Sequence, residues 1–216
     1  MAESEPSLRE SKRRATRAAI EDYASALAAE KGFDNVTVDD ICAEVGISKR
    51  TFFNYVDSKE TAVLGAPPRV PTDEERAEFL ATEHEDILSA LCRLAFELAT
   101  TVRCVAPEQR ATVLKRRRII RRRDPDLAYQ NVAGVHTMAA ALVELTEEYL
   151  ELYPGRKTLS APPSHEAQSL VSIALCTLQL GNRIWLEQAD GSDEALENCC
   201  IDALHELTTI FQGRSL

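Results

Sequence analysis

The sequence predicts an all-α protein, on three observations. Apolar residues recur at helical spacing along most of the 216-residue chain, and no run of strict period-2 alternation appears. Glycine is scarce, and the prolines cluster at a few breaks: 67–68, 71, 107, 125, 154 and 162–163. A hydrophobic content of 44% with 28% charged residues suits a packed core and excludes a disordered chain.

Other classes are excluded as readily. No apolar stretch approaches the ~20 residues needed to cross a bilayer, so no membrane partner is expected. The opening MAESEPSLRESKRR lacks the apolar core of a secretory signal, which makes the cytoplasm the expected compartment. Six cysteines form no C-x-x-C pair and no zinc spacing, so neither a metal nor another cofactor is expected. They read as small buried hydrophobes. A thiol sensor at Cys199–Cys200 or Cys104 is the lesser alternative.

The elements follow in order. A first helix over about residues 8–31 carries the stripe Ile20, Tyr23, Ala24, Leu27 and Ala28, and Gly32 supplies a left-handed stop. Thr37 reads as an N-cap with Asp40 three residues on, opening a short helix to Val45. Gly46 makes a tight turn, Ser48 caps a third helix over about 49–56, and 57–60 opens a fourth. Residues 65–75 (GAPPRVPTDEE) read as a linker, dividing the chain at 1–64 and 65–216. Longer helices are expected over about 83–104, 107–123, 125–153, 165–188 and 193–212. Asp124 and Pro125 form a first-turn signature for the third of these.

Two short helices joined by a glycine turn, TVDDICAEVGISKRTFFNYV over 37–56, form a helix-turn-helix pattern. In such a motif the second helix enters the DNA major groove and the first braces it. Lys49 and Arg50 suit guanine edges or phosphates, and Thr51 suits a phosphate or a thymine methyl. Asn54 suits adenine, while Tyr55 offers a hydroxyl to the backbone. Phe52 is expected to pack inward. Lys59 adds a cation near the start of the fourth helix. Net charge is −10 and the pI about 5.0, which counts against nonspecific binding to nucleic acid. Yet residues 9–17 hold five basic side chains and one acid, and Arg14 and Arg17 there are candidates for phosphate.

The run Arg14-Ala-Thr-Arg17, Gly32-Phe33, Thr37, Val45-Gly46-Ile47-Ser48, Thr51 to Val56 and Ser58-Lys59-Glu60 resembles the DNA-binding domain of the TetR family of repressors. The resemblance covers about residues 11–64. It implies a three-helix DNA-binding domain, a ligand-responsive helical domain behind it, and a dimer. By matching position it implies DNA contacts from Thr37, Lys49, Arg50, Thr51, Asn54, Tyr55 and Lys59. Phe53 stands where the family often has tyrosine, and Val56 where phenylalanine is more usual. Asp39 and Asp40 stand where basic or neutral residues would ease approach to DNA, and are read as serving the N-terminus of the second helix.

Behind residue 75 the signals are thinner. The last two helices carry more apolar surface than one face needs, which fits a four-helix interface between two chains; ordinary core would also explain it. The basic run 115–123 reads as a solvated face, with charge pairing to the acidic first domain or an anionic ligand as alternatives. Phe96, His136, Met138 and Trp185 are candidates for an effector pocket, and plain core would account for each. The expected function is ligand-responsive transcriptional regulation, as a homodimeric repressor on palindromic duplex DNA. The alternative is a helical interaction module that never touches DNA. An enzyme is not expected, since no phosphate loop, nucleophile elbow or metal site is present in the sequence.

Overall fold

The structure, a computed structural model, describes residues 8–99, 107–188 and 193–212, and among these every regular element is helical. Contacts divide the chain into two compact units. The first holds helices α1 (Leu8–Lys31), α2 (Val38–Val45), α3 (Lys49–Phe53), α4 (Lys59–Leu64) and α7 (Pro107–Arg123), with the start of α8 (Pro125–Leu152) as far as Gln130. The second holds α5 (Asp73–Ala81), α6 (Ile87–Ala99), the rest of α8, α9 (Pro163–Glu187) and α10 (Asp193–Gln212). The first unit is therefore not closed by residues 1–64, because α7 returns to complete it.

In the first unit α1 buries Ile20, Ala24, Leu27 and Ala28 against Ile41, Phe52, Val56, Ala62 and Val63, and Ile120 of α7 joins the same core. Tyr23, expected in the stripe, is instead 43% exposed. Its neighbours Glu21 and Ser25 are fully buried: α7 brings Arg117 to the Glu21 carboxylate, and the Ser25 hydroxyl donates to the Asp22 carbonyl of α1 itself. Gly32 ends α1 with φ +85°. The expected capping box is present at Thr37 and Asp40, and Gly46 takes the left-handed conformation at φ +74° that its turn requires. The third helix is shorter than expected. It ends at Phe53, and Tyr55 and Val56 both donate their N–H to the Phe52 carbonyl as the chain turns.

The second unit packs α6 and α8 with α9 around Leu91, Leu98, Leu142, Leu145, Tyr149 and Val171. Part of the expected linker is helical here. Thr72 and Glu75 form a reciprocal capping box that starts α5. The helix expected from 83 begins at Ile87, after Asp86 accepts N–H bonds from Leu88 and Ser89. Asp124 caps α8, accepting from Asp126 and Leu127. α9 and α10 lie so close that a Cβ on Gly181 would stand 2.8 Å from the Cys200 Cα. Burial pushes the Cys92 and Cys200 thiols up to about 11, and raises that of Cys199, leaving little thiolate at neutral pH. Cys104 lies outside the described residues.

Candidate nucleic-acid interface

The α2–turn–α3 segment is fixed by its caps. The Thr37 hydroxyl donates to Asp40 Oδ2 at 2.6 Å and accepts from the Asp40 N–H at 3.2 Å, while the Thr37 N–H donates to the same carboxylate at 2.8 Å. These bonds from Thr37 hold the Asp40 carboxyl below its ordinary range. Ser48 Oγ accepts from the Thr51 N–H at 3.1 Å and lies 2.9 Å from Thr51 Oγ1. Phe52 is fully buried and anchors α3, as its expected inward packing requires.

On this anchored turn Lys49, Arg50 and Asn54 are exposed, and Thr51 and Tyr55 are half-buried. Tyr55 lays part of its ring against the core of the first unit. The five side chains expected to read DNA thus come from one short segment. Lys49 Nζ lies 2.8 Å from Asp39 Oδ2, joining α3 to α2, and both side chains are more than half exposed. The hydrogen bond and the charge of Asp39 raise the Lys49 pKa above its ordinary value.

Other expected contacts are engaged elsewhere. The Lys59 ammonium donates to the carbonyls of Phe33 and Val36, each at 3.0 Å, and sits 3.9 Å over the Phe33 ring. It staples α4 to the turn after α1, with one of its three N–H groups left over. Arg17 Nε donates to Glu21 at 3.1 Å. Arg14 is exposed near the start of α1.

The basic run on α7 is not the solvated face the sequence suggested. Arg116 pairs with Asp22 at 2.6 Å, and Arg123 donates to the Ala29 carbonyl at 2.7 Å. Arg117 is wholly buried, with Nη2 on Glu21 at 2.9 Å and Nε on the Val63 carbonyl at 3.1 Å. Arg121 Nη2 donates to the Leu64 carbonyl at 3.0 Å. Val63 and Leu64 end α4, where carbonyls have no helical donor ahead of them, so two guanidiniums cap that helix. Burial lowers the Arg117 pKa against the pull of Glu21, and burial together with the Arg117 charge lowers Arg121 from 12.5 to about 10. Lys115 and Arg122 remain exposed. Charge pairing with the first domain, the minor alternative, describes the docked arginines. The sequence signal was Glu21-Asp22, two acids set inside an otherwise apolar stretch of α1.

Of the four residues expected to line an effector pocket, Met138 and Trp185 are buried, Phe96 is partly buried and His136 is exposed. Met138 lies in the core of the second unit and Phe96 packs against that core. Trp185 is on α9. His136 is two residues from Met138 and so on another side of α8.

Comparison with known proteins gives the segment a family. Residues 20–63 match the family described as bacterial regulatory proteins, tetR family. No curated protein matches the chain. Among solved structures, Salmonella enterica GusR is similar at 17% identity over 91% of this chain and 95% of that one, with a TM-score of 0.43. The capped turn of α2 and α3 lies within these matched residues, so this segment of the chain is a helix-turn-helix similar to that of tetR-family regulatory proteins.

Proposed function

We propose that the chain is a homodimeric repressor that holds a palindromic operator with two copies of α3 and releases it when a small molecule binds the second unit. The observation that carries this reading is the exposure of Lys49, Arg50 and Asn54 on a segment whose backbone is capped and whose Phe52 is buried. Such a segment can be pressed into a groove without unfolding. Lys49 and Arg50 take guanine edges or phosphates, Asn54 an adenine, and Thr37, Thr51 and Tyr55 the phosphate backbone. Arg14 and the spare Lys59 N–H add phosphate contacts. Arg17, held to Glu21 through Nε, keeps its remaining N–H groups for a further phosphate.

Two features support the dimer. Ile201 and Ile210 of α10 are more than half exposed, and Cys176 on α9 is exposed as well. A two-fold pair joined through α9 and α10 would bury this apolar surface and present two α3 helices to half-sites about 35 Å apart. An effector seated near Phe96 and Met138 in the second unit would act by favouring a conformer whose α3 spacing no longer fits DNA. The protein would regulate in the cytoplasm rather than catalyse.

The test is recovery of genomic fragments with the purified protein. Enrichment of one short palindrome is expected, together with its loss in Lys49→Ala plus Arg50→Ala at unchanged helicity by circular dichroism. Retrieval of nothing specific at moderate salt would leave the interaction-module reading in its place.

A further inference from the structure

We infer that Asp39 sets the specificity of this interface: its carboxylate holds the Lys49 ammonium in the unbound chain, so that only DNA able to displace it recruits that cation. The inference rests on the DNA-binding reading above and says which sequences that binding admits.

Of the two acids opening α2, only Asp39 is available for this. Asp40 is committed to the Thr37 cap through both the hydroxyl and the N–H. Asp39 reaches across to α3, with 2.8 Å between Oδ2 and the Lys49 nitrogen. The Lys49 charge is thereby neutralised by a group of the protein rather than by salt ions. A phosphate approaching Lys49 must compete with Asp39, and it meets the repulsion of a carboxylate that is 69% exposed at the same face. A guanine edge offers two neutral acceptors, and so draws on the ammonium without that repulsion. Random sequence therefore gains little from Lys49, while a site with a well-placed guanine gains fully.

The effect is large because cations are few. Residues 8–64 hold nine basic and ten acidic side chains. Two of the nine, Arg17 and Lys59, are turned to Glu21 and to the Phe33 and Val36 carbonyls. Withholding Lys49 removes one of the two cations on α3 itself.

The experiment uses the full chain and two duplexes of equal length: the one most enriched by wild type from a random library, and a mixed-sequence control. Asp39→Asn, Asp39→Ser, Lys49→Gln and Asp39→Asn plus Lys49→Gln are titrated across salt. Asp39→Asn should bind the control more tightly. Its log–log salt slope should steepen by about one, as one more counterion is released, so that its affinity falls about threefold further than wild type's between about 50 and about 200 mM salt. Selectivity for the enriched duplex should drop by about threefold or more, and Asp39→Ser should follow. In the Lys49→Gln background the Asn change should leave the slope unaltered. Wild-type slope and selectivity in both neutral variants would overturn the inference, as would an Asn effect undiminished without Lys49. Should wild type enrich no duplex at all, the DNA-binding reading falls and this inference with it. Enrichment by wild type with unchanged neutral variants would sink the inference alone.

Discussion

Arg117 has no exposed side-chain surface, and it keeps its charge because Glu21 and the Val63 carbonyl stand where water would. Removing one member of such a pair strands the other in a medium that solvates it poorly. Arg117→Met should therefore cost about 3 kcal/mol in urea unfolding, and adding Glu21→Leu should recover most of the loss. The exposed pair of Arg69 and Glu75 behaves differently. Its two 2.6 Å bonds hold the Glu75 carboxyl at about 2 instead of 4.5. A carboxyl lowered in the folded state stabilises fully above its ordinary value and loses that contribution as pH falls through the lowered one. The penalty of Glu75→Gln should thus be about 1 kcal/mol at neutral pH, small because solvent screens the pair. It should fade between about pH 4.5 and about pH 2 in acid-unfolding curves.

Among the elements, α5 depends on its cap. Its sequence DEERAEFLA has a weak apolar stripe, and only Phe79 is buried. Thr72→Ala should destabilise by about 1 kcal/mol, seen as faster amide exchange in residues 73–76. The pair α9 and α10 depends on a missing side chain. Gly181→Ala would place a methyl 2.6 Å from Cys200 Sγ and under 3 Å from its backbone, so α10 must shift. An expected cost of about 1–3 kcal/mol should come with weaker self-association on a sizing column. Local signals explain which elements the sequence revealed. The helix at 193–212 was placed by its apolar stripe, and that at 107–123 by the proline that starts it. The helix α5 escaped because its charged composition hides the period, leaving only the T-x-x-E pattern at Thr72 and Glu75. The end of α3 escaped because its stop is a tertiary matter, set by burying Phe52 and Val56.

At the scale of the molecule, the helix-turn-helix was legible because its evidence lies within twenty residues, whereas the docking of α7 was not. Arg116 and Arg117 meet Asp22 and Glu21 across sequence separations of 94 and 96, and the local pattern of two acids in an apolar stretch marks a need for cations without saying which ones meet it. For the same reason residues 1–64 do not by themselves supply the whole of the first unit's core. A fragment ending at residue 64 would lose Ile120 and Leu127 from its core and the guanidinium caps of α4. Its melting transition, followed by circular dichroism, should be broad and well below that of the full chain.

The guanidinium caps on Val63 and Leu64 also bear on biosynthesis. A nascent chain that has emitted α1 through α4 still lacks Arg117 and Arg121. At about 5–20 residues per second, ribosomes need some 3–12 s more to deliver them. Until then Glu21 has only Arg17 to meet its charge, and part of the hydrophobic cluster stays open to chaperones. The reader of DNA, though encoded first, is finished late.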